Sequence, residues 1–309
     1  MTAERIELGH GLSLRIVATA ADAPAAGTRS VATGGRATSA AATPFPTRRL
    51  QKGLLLYAGE QEMAGEGVGL GVPILKRGAQ TIFPSAVRLR SGASDGADPV
   101  REISADPVRE IAATYRLDLV ERLVKARGGS VRPRALYAAK DLLAALHRRV
   151  PALRRPLTAV SSAGRRALGW STTYEPSEFR ADVPVSYTFR EGGRTIVVTA
   201  DLTDLAEAGV TEIVFMNELG AHEFDLYEDA DGASLGGATI GTWDVVTAPR
   251  ARFVSTRRGV AFSLAQTPGA TLRRGRELVG SRLAWAGFGL SVRPAHGLFS
   301  YQVCIEGPA

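Results

Sequence analysis

Phe299-Ser300-Tyr301-Gln302-Val303-Cys304-Ile305 places apolar side chains on odd positions and smaller or polar ones on even positions. A period of two is the mark of a strand with one buried face, because successive side chains point to opposite sides of the pleat. Working back from this strand, the same signal recurs at Val183–Arg190, Thr195–Leu202, Val210–Met216, Glu223–Tyr227, Thr239–Trp243, Arg252–Ser255, Val260–Gln266 and Arg282–Val292. The intervening turns carry suitable residues, among them Glu191-Gly192-Gly193-Arg194, Asp231-Gly232 and Arg258-Gly259. Strands do not alternate with helices here, which argues against a doubly wound α/β fold.

Nearer the start, Arg5–Leu8, Leu12–Ala18, Gly53–Ala58 and Gln80–Arg90 also read as strands, the last interrupted by Pro84. Residues 20–47 contain almost no large apolar side chains and read as a flexible linker or long loop. From Asp98 the period changes. Asp98-Pro99 and Asp106-Pro107 each fit an N-cap followed by proline in the first helical turn. Ile111, Tyr115, Leu119 and Leu123 follow at helical spacing, so a helix is expected from 107 to 127, and a second from Pro133 to Arg149. The expected fold is a large antiparallel β-sandwich with a helical insertion at about 97–168. Its sheets are shared between 1–96 and 169–309.

The chain has 309 residues and a net charge of +7. Residues 101–166 hold 15 Lys and Arg against 6 acids, so the positive charge belongs to that segment and the rest is slightly acidic. Arginine outnumbers lysine 34 to 4, a compositional habit rather than a mark of polyanion binding. The arginine pairs Arg148-Arg149, Arg154-Arg155 and Arg165-Arg166 come without a nucleic-acid motif or interleaved aromatics, so no nucleic-acid partner is expected. No apolar run is long enough for a membrane-spanning helix. Cys304 is the one cysteine, which excludes an internal disulfide and a multi-cysteine zinc site. With no signal-peptide pattern in Met1–Glu7, a cytoplasmic location is expected.

Between Gly59 and Pro73 the glycines Gly65, Gly67, Gly69 and Gly71 fall on alternate residues. The spacing fits neither Gly-x-Gly-x-x-Gly nor Walker A, so it gives no support for a nucleotide site and no cofactor is expected. If this stretch is extended, one face is bare, while Glu60, Glu62 and Glu66 project together from the other. Such a strip suits either a ligand or close packing of another chain segment.

A second constellation, Asn217-Glu218-Leu219-Gly220-Ala221-His222, follows an apolar strand. It offers an amide, a carboxylate and an imidazole where a strand ends, a common place for sites. His222-Glu223 lacks the second histidine of a zincin, and Asp229-Ala230-Asp231-Gly232 lacks the closing glutamate of an EF-hand. Each reads as a loop, and no metal is expected. Of Trp170, Trp243 and Trp285, the last has small neighbours that leave room around its ring. Gly92-Ala93-Ser94-Asp95-Gly96 matches the nucleophile-elbow pattern, but the strand before it ends in Arg88-Leu89-Arg90 and not in a parallel-sheet apolar run.

These residues point first to carbohydrate binding or processing. Glu66 and Glu218 are the candidate carboxylate pair, assisted by His222. Glu60, Glu62, Asn217, Trp243 and Trp285 are the candidate sugar contacts. The competing readings are a binding or assembly module, with the helix 107–127 as partner surface in a homo-oligomer, and a serine hydrolase acting through Ser94.

Overall fold

A computed structural model describes residues 3–18, 50–90, 109–125, 170–279, 283–294 and 297–307. The first strands are β1 (Ala3–Gly9), β2 (Leu12–Val17), β3 (Leu55–Ala58) and β4 (Gln61–Glu62). They pair in that order as a four-stranded sheet. Next come β5 (Gly69–Arg77), β6 (Gln80–Arg90), β7 (Arg109–Lys125), β8 (Trp170–Arg190) and β9 (Thr195–Asp201). The chain continues with β10 (Glu212–Gly220), β11 (Leu226–Asp229), β12 (Ser234–Gly236) and β13 (Asp244–Val245). It closes with β14 (Arg250–Ser255), β15 (Val260–Ala265), β16 (Ala270–Val279), β17 (Leu283–Val292) and β18 (Leu298–Glu306). Strands β5 to β18 form one 14-stranded sheet, in the order β12-β11-β14-β15-β18-β9-β8-β7-β6-β5-β10-β17-β16-β13. The protein is therefore mainly β, built from large antiparallel sheets.

The large sheet curls so that strands far apart in its order face each other. Phe215 on β10 lies 5.5 Å from Phe299 and 5.6 Å from Tyr301, both on β18. Phe288 on β17 packs edge-on against Phe253 of β14 at 4.8 Å and Phe262 of β15 at 5.7 Å. Edge-to-face rings at these separations add to the stabilisation that their buried area gives. Residues of both sheets contribute to one apolar core, from Ile6 and Leu14 through to Val303 and Ile305.

The expected helix at 107–127 is corrected by β7, which is a strand over Arg109–Lys125. The physical reason lies in the spacing. Ile111, Tyr115, Leu119 and Leu123 are four apart, a multiple of the strand period as well as an approximate helix turn. Ala113 and Leu117 fill the positions between, and Ile111, Ala113, Tyr115, Leu117 and Leu119 are all buried. Among the described residues there is no α-helix, so the helical insertion finds no support, and the partner surface assigned to helix 107–127 goes with it. The expected helix at Pro133–Arg149, the linker at 20–47 and the Ser94 motif lie outside the described residues. β6, which leads toward Ser94, runs antiparallel to both β5 and β7, unlike the strand of a nucleophile elbow. The expected strand Thr239–Trp243 is instead a 3-10 turn at Gly237–Ile240, followed by Trp243.

The glycine stretch is extended only from Gly69 onward, and Gly65, Gly69 and Gly71 all have positive φ, so a simple two-residue alternation does not run through it. Its bare positions are filled by protein. A Cβ on Gly71 would lie 2.6 Å from the Tyr187 ring, and one on Gly67 would lie 2.6 Å from the Glu218 carbonyl oxygen. Gly71 combines a φ of 74° with a side-chain neighbour that is fully buried. Gly71→Ala is therefore expected to destabilise the protein by about 2 kcal/mol or more, from backbone strain together with overpacking. A urea titration in which the midpoint did not fall would show that Tyr187 can yield.

Candidate functional site

The candidate site lies where β10 ends. Gly220 donates its N–H to Met63 O at 2.9 Å, docking the 63–67 turn across the end of the strand. Gly67 permits the approach, since a Cβ there would lie 2.6 Å from Glu218 O, and Gly65 supplies the positive φ of 54° that the turn needs. The result is a concavity of about 190 Å3 lined by Glu62, Met63, Gly65, Glu66, Gly220, His222 and Glu223. It is smaller than the few hundred Å3 usual for a drug-sized ligand.

The charges around it are unequally engaged. Lys52 Nζ donates to Glu62 at 2.6 Å and to Gly65 O at 2.6 Å. Burial alone would raise the Glu223 carboxyl, but Arg257 and Arg258 outweigh it and hold it below the usual carboxylate range. Arg276 Nη2 donates to Ala221 O at 2.8 Å and so fixes the turn that carries His222. Glu66 and His222 are exposed on the rim. Neither has an ion pair or hydrogen bond with a described residue.

Glu218 sits beside this concavity but is buried, with 7% of its surface exposed. Burial pushes its carboxyl up to about 8, partly offset by a hydrogen bond from the Val68 N–H and reinforced by the nearby Glu277. At neutral pH it is thus mostly protonated, an acid that can give a proton.

By register, Glu218 shares a sheet face with Gly287 on β17, and Gly220 shares it with Trp285. The same face carries Gly275 and Glu277 on β16, paired with Gly287 and Trp285. Trp285 stacks on Trp243 with ring centroids 4.9 Å apart and planes 22° from parallel. The indoles lie over glycines: a Cβ on Gly275 would meet the Trp285 ring at 2.7 Å, and one on Gly289 would meet the Trp243 ring at 2.7 Å. Trp243 holds a φ of 59°, a left-handed conformation that costs a non-glycine residue roughly 1 kcal/mol or more. That backbone turn sets the Trp243 indole over the next strands.

The sequence-derived residues are therefore distributed as follows. Glu62, Glu66 and His222 meet at the concavity, with Glu218 beneath the same corner and Trp285 and Trp243 beyond it on the shared face. Glu60 does not join them: it accepts hydrogen bonds from Arg15 at 2.9 and 3.0 Å and from Arg5 at 3.3 Å, so the three carboxylates do not project together. Asn217 does not face the site either. It is fully buried, and its Oδ1 accepts from Gly71 N–H at 3.0 Å and Tyr301 O–H at 3.2 Å. Glu223 and Glu277 were missed. The signal for Glu277 was its two-residue spacing from Gly275, which mirrors Trp285 and Gly287 on the neighbouring strand. Among the described residues, no group of three or more His, Cys, Asp or Glu is placed to hold a metal ion. No described helix is long and apolar enough to cross a membrane.

No protein-family model and no curated protein matches the chain. Among solved structures it is similar to one described as "Crystal Structure Analysis of HI1317", at 7% identity over 99% of this chain and 100% of that one. The TM-score of that match is 0.26, too low to bear on fold or site.

The Glu218 carboxyl links stability to pH with a definite sign. Its folded pKa of about 8 lies above the ordinary carboxyl value of 4.5. Below pH 4.5 both states hold the proton and nothing is lost. As pH rises toward 8, the unfolded chain gives up a proton that the folded one keeps, and stability falls by at most about 1.4 kcal/mol per pH unit. Glu218→Gln removes this loss. Thermal melts between pH 5 and 8 are expected to fall less steeply for the variant than for the wild type; parallel curves would mean that Glu218 is ionised in the folded protein.

Proposed function

We propose that the protein binds carbohydrate along the face that runs from the concavity at Gly220 to the Trp243–Trp285 pair, with Glu218 as a proton donor toward the bound sugar. The reading treats the fold as a sandwich whose one outer face is specialised. The observation that carries it is the stacked indole pair set on a glycine floor beside a buried, protonated carboxyl. A sugar ring presents C–H groups on its flat face and hydroxyls round its edge. Indoles suit the first, and Glu62, Glu66 and His222 suit the second.

The charge arrangement supports the same reading over phosphate or nucleic-acid recognition. The cations near the concavity are taken: Lys52 by Glu62, and Arg257 and Arg258 by Glu223. Arg276, the remaining arginine close by, is turned into the protein and donates to Ala221 O. A polar, uncharged ligand fits better than a polyanion.

Fluorescence titration of the full chain with neutral oligosaccharides tests the proposal. Trp285→Ala is expected to weaken binding roughly five- to tenfold, the effect of removing about 1 kcal/mol of stacking. Equal affinity in Trp285→Ala and the wild type, or no response to any sugar, would reject it.

A further inference from the structure

Resting on the carbohydrate reading above, we infer that Arg273 is a positioning residue for sugar binding, acting through Trp243, whose indole it holds in the stacked pair. The segment 240–246 runs along the outer edge of β16 and is tied to that strand at successive points. Arg274 Nε donates to Ile240 O at 3.1 Å, the Arg276 N–H to Gly241 O at 3.0 Å and the Val246 N–H to Leu272 O at 2.9 Å. Between these ties Asp244 and Val245, the two residues of β13, pair with Arg274 and Arg273. Ile240 and Val246 are buried and fix the two ends, whereas Thr242 is exposed and Val245 is 49% exposed. Arg273 Nη1 donates to Trp243 O at 3.3 Å, and of these bonds it is the one made to Trp243 itself.

Trp243 needs such a tie. Its φ of 59° is a conformation that an L-residue abandons unless its surroundings hold it there. Its main chain passes close over β16, where a Cβ on Gly275 would lie 2.9 Å from the Trp243 N. Its ring lies over Gly289, the residue that pairs with Arg273 across β16 and β17. Arg273 thus starts from the same cross-strand row that the ring covers, and its guanidinium closes the turn from beside the ring. Without that bond the carbonyl of the strained residue is released, the left-handed turn relaxes and the indole leaves Trp285. The nearby acid does not account for Arg273, since Glu212 already accepts a hydrogen bond from Lys76 at 2.8 Å. The arginines of Arg273-Arg274-Gly275-Arg276 then share a purpose: two side chains hold the turn that carries Trp243, and the third holds the one that carries His222.

The test combines calorimetric titration of the full chain with neutral oligosaccharides and far-ultraviolet circular dichroism. Two indoles stacked as these are couple their transitions and give a pair of bands of opposite sign, which disappears when either ring moves away. Arg273→Ala is expected to remove the band pair and to weaken sugar binding roughly three- to tenfold, about as much as Trp243→Ala does. Arg273→Lys, which keeps a donor, should recover most of both. Adding Arg273→Ala to Trp243→Ala should cost nothing further, because the first change acts through the residue that the second removes. Arg273 is partly exposed at the sheet edge, so the variants are expected to fold, and thermal melts check it. Should Arg273→Ala not fold, Arg273→Gln takes its place. An intact band pair or an unchanged affinity in the folded variant would overturn the role while leaving the carbohydrate reading in place. Losses that add in the double variant would put Arg273 in direct contact with the sugar and overturn its action through Trp243. A wild type that binds no oligosaccharide would remove the carbohydrate reading and this role with it.

Discussion

The fold's central constraint is the hydrogen bond from the Gly71 N–H to Asn217 Oδ1, 3.0 Å long and fully buried. The β5–β10 pairing slips between Met216 and Glu218, and Gly71 finds its partner in the Asn217 side chain. An unpaired buried N–H would cost roughly 1–3 kcal/mol, so the side chain stands in for the missing carbonyl. Tyr301 O–H donates to the same oxygen at 3.2 Å, and Asn217 Nδ2 donates to Phe215 O at 3.2 Å. Tyr187 donates to Gly71 O at 3.2 Å and shares a 2.7 Å bond with Tyr115. Burial raises all three tyrosine hydroxyls above the usual phenol range, so they stay neutral donors. The network joins β5, β7, β8, β10 and β18, which is why a local slip in one strand pair is held in place by five strands. It also sets where β10 lies as it leaves the core, and hence where Glu218 and Gly220 meet the 63–67 turn.

Much of this was legible in the sequence, and the failures have identifiable causes. Period two located β2, β6, β9, β14, β15, β17 and β18 closely because each has one face in the core. β7 was misread because its largest apolar residues are spaced by four, which both periods allow; Ala113 and Leu117, at the intermediate positions, were the evidence for a strand. β16 was not seen at all. Arg273, Arg274, Arg276 and Glu277 leave it no apolar row, since Arg274 covers the Tyr227 ring at 4.5 Å and so does an apolar residue's packing with its guanidinium.

The site was legible only in part for the same reason. Glu62, Glu66, His222 and Glu218 were found because they belong to two short polar stretches next to apolar strands. Their convergence is a tertiary fact, made by Gly67 against the Glu218 main chain and by the Gly220 N–H bond to Met63 O. The bare glycine face, which suited either a ligand or close packing, is filled by Tyr187, Leu54 and the Glu218 main chain. A different bare surface, Gly275 with Gly287 and Gly289, lies under the indoles. It could not be read without β16, since Gly275 supplies the second of its strands. Trp243 reaches that surface only through a left-handed backbone, a feature that neither strand nor helix periodicity encodes.

Glu218 occupies a position that packing alone would assign differently. Val214 and Met216 precede it on the same face, both buried, and a leucine at 218 would extend the row without a desolvation penalty. The glutamate is instead held where burial keeps it protonated, with a single main-chain donor to orient it. Its neighbours compound the cost, for Gly287 beside it offers no polar side chain and Glu277 adds like charge. Ion pairs around the concavity do not offset this, since the partners of Glu62 and Glu223 are partly exposed and weak for that reason. A group kept against the local stability gradient, beside two stacked indoles of which one is itself strained, supports a functional origin for the whole face. The interior network around Asn217 has the opposite character: its amide and phenol groups are paired and neutral, and they reach no surface. The contrast separates two neighbouring polar side chains of β10: Asn217, which ties five strands together, and Glu218, whose buried carboxyl accepts a main-chain N–H.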